Sequence, residues 1–97
     1  MRILIAVIAY NEQENIQSTL RELFAFRNLS PMWFDIVVID NASTDNTPNL
    51  TRDLGVDLVR HPVNTGGSLG TIPTYFQFAY QKDYDILCQF DGDGQHI

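Results

Sequence analysis

The chain has 97 residues, twelve acidic side chains against six basic ones, and a formal charge of −6. That balance argues against nucleic acid as a partner, because phosphate backbones are held by clusters of Lys and Arg. An apolar fraction of 44% is ordinary for one small folded domain and argues against disorder.

The first apolar run, Ile3 to Ala9, is continuous rather than alternating, which suits a strand buried on both faces. Preceded by Arg2, it resembles a weak signal peptide. However, polar Tyr10 to Glu14 follow without a cleavage site, so that reading is rejected. No stretch approaches the ~20 apolar residues of a membrane span.

A helix is expected next, with Asn11 as N-cap and Glu14 closing a capping box. Ile16, Leu20, Leu23 and Phe24 fall on one face of it. A second buried strand covers Ile36–Ile39. A short helix then runs from a cap at Asp45, through Leu50 and Leu54, to a stop at Gly55. The run Val56–Val59 carries Asp57 and reads as an edge strand. A third helix covers Ser68 to Lys82, with Leu69, Ile72, Phe76, Ala79 and Tyr80 on one side and Pro73 at a kink or in a first turn. The last strand is Ile86–Phe90. It holds the single cysteine, Cys88, which reads as a small core residue.

Strands alternating with helices imply a doubly wound parallel α/β sheet with right-handed crossovers, and the expected strand order is 3-2-1-4. In such sheets ligands bind beyond the carboxyl ends of the strands, where the order reverses. Three polar segments should meet there: Tyr10-Asn11-Glu12, Asp40-Asn41, and Asp91-Gly92-Asp93-Gly94-Gln95.

The last segment is the most informative. In an extended chain Asp91 and Asp93 point the same way, with Cα atoms about 6.5 Å apart. Like charges at ~4 Å cost about 4 kcal/mol at an effective dielectric of ~20, and a divalent cation reverses the sign of that repulsion. Oxygen ligands at one turn suit Mg²⁺ or Mn²⁺. A Gly/Asp-rich surface turn explains the same residues equally well. Asp40 is either a base- or ribose-binding acid or an Asx cap for the following turn. Glu12 is either a ligand contact or an acid favoured at a helix start. Gly66, Gly67 and Gly70 match neither a dinucleotide fingerprint nor a phosphate-binding loop, and read as loop glycines or as a loop bordering a ligand. An EF-hand does not fit, since a strand precedes Asp91. His61 and His96 have no partner at metal-ligand spacing and read as surface residues.

Taken together, Ile8–Glu12, Val37–Asp45, Asn64–Gly67 and Tyr84–His96 resemble the family 2 glycosyltransferases of the GT-A fold, especially the polyprenyl- and dolichyl-phosphate mannose synthase group. The resemblance spans the whole chain. It implies a Rossmann-like GT-A sheet, truncated here to residues 1–97, the nucleotide-sugar-binding part without the acceptor part. It implies sugar-nucleotide contacts at Ala9, Tyr10, Glu12, Asp40, Asn41, Asp91, Gly92 and Asp93. It also implies Mn²⁺ or Mg²⁺ at Asp91, Asp93 and Gln95. No catalytic base falls within the chain. The family often has Asp-Asp where this chain has Asp40-Asn41, and Pro where it has Ala9.

The implied activity is inverting, metal-dependent transfer of a sugar from a nucleotide-diphosphate sugar to an acceptor such as a polyprenyl phosphate or a glycan. These 97 residues are expected to bind donor without turnover. The expected location is cytoplasmic, or peripheral at the cytoplasmic face of a membrane for a longer protein. Two other classes stand beside this reading: a haloacid dehalogenase-type phosphatase, which also uses Asp-x-Asp after a strand, and a non-catalytic module that forms homo-oligomers through an exposed sheet edge.

Overall fold

A computed structural model describes residues 1–92; the side chains of residues 67–69 and everything from 93 onward lie outside the description. The elements run β1 (Ile3–Ala9), α1 (Ile16–Leu29), β2 (Asp35–Asp40), α2 (Thr47–Asp53), β3 (Asp57–Arg60), α3 (Gly67–Gln81) and β4 (Ile86–Asp91). All strand pairs are parallel and the order is β3-β2-β1-β4, as expected. Ala9 pairs with Asp40, Asp40 with Arg60, and Ile8 with Asp91.

The continuous apolar runs of β1 and β2 bury side chains on both faces of the sheet. On one face Val7, Ala9, Ile36 and Val38 pack under Ile16, Leu20 and Leu23 of α1, with Leu50 and Leu54 of the α2 region beside them. On the other, Leu4, Ala6, Val37 and Ile39 pack under Tyr75 and Ala79 of α3. Burying side chains of this size stabilises by roughly 1.5–3 kcal/mol each, so the two central strands carry most of the fold. Among the described residues β3 and β4 are the edges. Asp57 is exposed on β3, as its charge suggests.

Several expectations need correction. Asn11 does not cap α1. It sits at φ +50, and the helix begins at Ile16 with Asn15 before it and no side-chain cap. The backbone carbonyl of Glu12 closes the entry instead, accepting from the Asn15 and Ile16 N–H groups. Asn11 is diverted because its side chain accepts from the Thr44 N–H, 2.8 Å away. The cap position of α2 falls on Asn46 rather than Asp45 and carries no side-chain cap bond, although Asp45 accepts the Thr47 N–H at 2.9 Å from one residue earlier; Gly55 stops that segment at φ +73, as expected. Of the two places open to Pro73, the structure takes the one inside α3 and not the first turn.

The buried face of α3 is also rotated from the expected one. Tyr75 and Ala79 are buried, Ile72 and Phe78 pack beside them, and Phe76 and Tyr80 are exposed at 59% and 85%. Cys88 is exposed rather than core, because β4 is paired on one side only.

Candidate functional site

The C-terminal ends of β1, β2 and β4 form one rim. Asp40 and Asp91 flank β1 on that rim, two strand spacings apart, about 9.6 Å by strand geometry. Side chains alternate along strands, so Asp40 leaves on the Ala9 face, shared with α1 and α2, and Asp91 on the Ile8 face, shared with α3. The acidic tips therefore share an edge but not a face.

Asp40 is fully buried. Its carboxylate accepts the Ser43 N–H at 3.1 Å, the Ser43 hydroxyl at 2.5 Å and Arg60 Nε at 3.1 Å. The Asx-like turn is thus the role the fold displays. It holds Ala42 at φ +66, a left-handed conformation that costs a residue with a β-carbon about 1–2 kcal/mol. Arg60 Nη2 donates to the Ser43 carbonyl at 3.0 Å. A cleft of about 490 Å³ opens beside this turn, lined by Ala42, Ser43, Thr44, Arg60, His61 and Pro62.

Asn41 is also buried, and both its side-chain oxygen and its side-chain nitrogen are hydrogen-bonded. Its Oδ1 accepts the Thr65 N–H and the Thr65 hydroxyl, each at 3.0 Å, and lies 3.1 Å from His61 Nδ1. Its Nδ2 donates to Asn64 Oδ1 at 3.3 Å. An amide oxygen only accepts, so His61 Nδ1 donates to it, while Nε2 lies 2.6 Å from the Thr74 hydroxyl. His61, expected at the surface, is half-buried and joins the β2 tip to α3. The loop it anchors packs so closely on α3 that a β-carbon on Gly70 would lie 1.9 Å from the Thr65 carbonyl oxygen.

At the β1 end, Ala9 is buried and gives its carbonyl to the Asn41 N–H at 2.8 Å. Tyr10 is 46% exposed on the rim. The Asn11 N–H donates to Ser43 Oγ at 2.9 Å and the Glu12 N–H to Thr47 Oγ1 at 2.8 Å, locking the β1 and β2 tips together. The Glu12 carboxylate accepts from Asn15 Nδ2 at 3.4 Å.

At the β4 end, Asp91 is exposed and Gly92 is buried. The Gly92 N–H donates to the Ile8 carbonyl at 2.8 Å, and its own carbonyl accepts the Thr19 hydroxyl at 3.1 Å. Asp93 and Gln95 lie outside the described residues. Among the described residues no three His, Cys, Asp or Glu side chains gather as a metal site. An exposed carboxylate on the rim is a hard oxygen donor, and that chemistry fits Mg²⁺ or Mn²⁺.

A parallel sheet of this order, with its polar residues gathered where the order reverses, defines a doubly wound α/β domain, a class whose ligands bind beyond the carboxyl ends of the strands. The chain belongs to glycosyl transferase family 2, whose model matches residues 4–97. It is 35% identical over 96 residues to an uncharacterised protein of Methanocaldococcus jannaschii, covering 97% of this chain and 36% of that one. It is 32% identical over 101 residues to the undecaprenyl-phosphate mannosyltransferase of Micrococcus luteus, covering 99% of this chain and 40% of that one. The chain therefore spans well under half of these relatives.

Among solved structures, the mannosyltransferase PcManGT of Pyrobaculum calidifontis, in complex with GDP-Man and Mn²⁺, superposes with a TM-score of 0.80. Identity there is 25%, over 95% of this chain and 27% of that one. S. aureus TarS in complex with UDP matches at a TM-score of 0.73 and 22% identity, over 96% of this chain and 28% of that one, a likeness of fold.

Proposed function

We propose that this chain is the donor-binding part of an enzyme that transfers a sugar from a nucleoside-diphosphate sugar, with inversion, to an acceptor such as a polyprenyl phosphate. The observation that carries the proposal is the shared rim. Exposed Tyr10 lies between the Asp40 turn and the exposed carboxylate of Asp91, in a chain of glycosyl transferase family 2. The names of the relatives support a mannosyl donor and a lipid-phosphate acceptor.

In this reading Tyr10 and the backbone around it meet the nucleotide. Asp91, with Asp93 and Gln95, holds Mn²⁺ or Mg²⁺ against the diphosphate, and a bound cation would stabilise the departing nucleoside diphosphate electrostatically. Asp40 and Asn41 have 0% and 1% of their surface exposed, so they shape the rim from beneath rather than touch the donor. Arg60 and Thr44 line the adjoining cleft and offer polar groups to a ligand there.

A cytoplasmic location, at a membrane face where the acceptor is a lipid phosphate, belongs to the same proposal. No described helix is long and apolar enough to cross a membrane. The phosphatase alternative has no support in the family match.

A thermal-shift panel of GDP-, UDP- and dTDP-sugars, with and without Mn²⁺, tests the proposal. Binding at a hundred times the dissociation constant adds about 2.7 kcal/mol of stability. A shift for one nucleotide class that grows with Mn²⁺ is expected. No shift with any of the three, with or without metal, would refute the proposal.

A further inference from the structure

Thr19 stands far from the rim in sequence, yet its side chain ends there. It lies one turn into α1 and is 2% exposed, on the face that packs against Val7 and Ala9. Its hydroxyl crosses 73 positions of sequence to donate to the Gly92 carbonyl at 3.1 Å. Gly92 is held on its other side by the Ile8 carbonyl, which accepts its N–H at 2.8 Å. It is also pressed so close to β1 that a β-carbon would lie 2.8 Å from the Ile8 oxygen and 3.2 Å from Ala9 Cβ. The two peptides that flank Gly92 are thus each held by a different element, directly after the exposed carboxylate of Asp91.

Thr19 is not needed to complete α1, because its own N–H already donates to the Asn15 carbonyl at 2.9 Å. A Thr hydroxyl inside a helix often bonds back to its own helix. Thr51 of α2 does so, donating to the Thr47 carbonyl at 2.9 Å. Thr19 instead spends its hydroxyl on the strand end. A valine there would keep the shape and leave the buried Gly92 carbonyl without that donor. The penalty falls on the backbone that carries Asp91.

We infer that Thr19 is a positioning residue for the cation site: by holding the Gly92 carbonyl it fixes the chain where it leaves β4, and so the rim on which the Asp91 carboxylate stands. This rests on the donor-site reading above. Partners one step behind a metal ligand typically change metal affinity by 10–100-fold when removed. The alternative is an ordinary buried hydroxyl that contributes to stability alone.

The test compares Thr19→Val, Thr19→Ser and Thr51→Val in the full chain, titrating GDP and UDP calorimetrically with and without Mn²⁺. Thr51 is as deeply buried as Thr19 and lies in a different helix, so its valine controls for general loosening. Thr19→Val should lower the Mn²⁺-dependent gain in nucleotide affinity about tenfold or more and leave metal-free affinity unchanged. Thr19→Ser and Thr51→Val should keep that gain. Should Thr19→Val not fold, the contrast of Thr19→Ser with Thr19→Ala carries the same prediction. An undiminished gain in Thr19→Val, or an equal loss in Thr51→Val or Thr19→Ser, would overturn the inference. A wild-type chain whose binding of either nucleotide ignores Mn²⁺ would instead sink the donor-site reading beneath it.

Discussion

Asp40 and Arg60 face each other across the β2–β3 pair, with Asp40 Oδ2 3.1 Å from Arg60 Nε, and only the arginine reaches solvent. The two partners should differ in what their removal costs. Asp40→Ala strands the buried Ser43 N–H and hydroxyl as well as the guanidinium, so a loss of about 1–3 kcal/mol is expected. Arg60→Met leaves the fully buried Asp40 carboxylate without its cation and the Ser43 carbonyl without that donor, so the larger loss, about 3–5 kcal/mol, is expected there. Urea denaturation of both variants checks the order. A loss in Arg60→Met no larger than in Asp40→Ala would mean that the Ser43 bonds alone hold the buried charge.

Asn41 predicts a local effect on the loop through residues 61–66. Asn41→Leu keeps the volume but removes the acceptor of the Thr65 N–H and hydroxyl, at a cost of about 1–3 kcal/mol. Amide exchange at Thr65 and Gly66 should accelerate, while that of the β1 core stays slow.

The opposite end of the sheet predicts the pH response. The Tyr84 hydroxyl donates to Asp35 at 2.7 Å and Trp33 Nε1 at 2.9 Å. These bonds, Tyr84 first, hold the Asp35 carboxyl below its ordinary 3.8, helped by Arg2 and Arg27. A lowered acid favours the folded state at pH above 3.8, and that contribution fades as pH falls through the folded value. Burial, then the bond to Asp35, pushes Tyr84 up to about 12. Its neutral form favours the fold below pH 10, and that contribution is lost as pH rises through about 12. Tyr84→Phe should move the Asp35 carboxyl back toward 3.8 in an NMR titration, while spectrophotometric titration of the native chain should show a phenol ionising near 12.

How much was legible beforehand follows from what each feature depends on. β1 and β2 announce themselves because strands buried on both faces are unbroken apolar runs, and the polar rim follows from where those runs stop. Phe76 and Tyr80 share a helical side with Ile72 and Ala79, and hydrophobicity alone does not distinguish an aromatic ring under the sheet from one beside it. Tyr75, the residue that does go in, donates its hydroxyl to Gln89 at 2.7 Å, a contact fixed by β4. The His61–Asn41–Thr65 knot joins residues 20 and 24 positions apart, and no local spacing signals it. The Thr19–Gly92 bond is more distant still.

Two glycines give a steric prediction. An alanine at Gly70 would meet the Thr65 backbone at 1.9 Å, whereas one at Gly92 meets the Ile8 oxygen at 2.8 Å. Both should destabilise, by about 1–3 kcal/mol or more, with Gly70→Ala the worse. Thermal melts of the pair test the ranking.

The central claim is that a cation and a nucleotide share the carboxyl rim beside β1. Paramagnetic broadening of amide signals by Mn²⁺, in the presence of GDP or UDP, tests it most directly. Selective loss of the Asp91, Gly92 and Tyr10 signals is expected, with Leu54, Asp83 and Asp85 at the far end unaffected. Broadening centred on that far end, or none at the rim at saturating nucleotide, would contradict it.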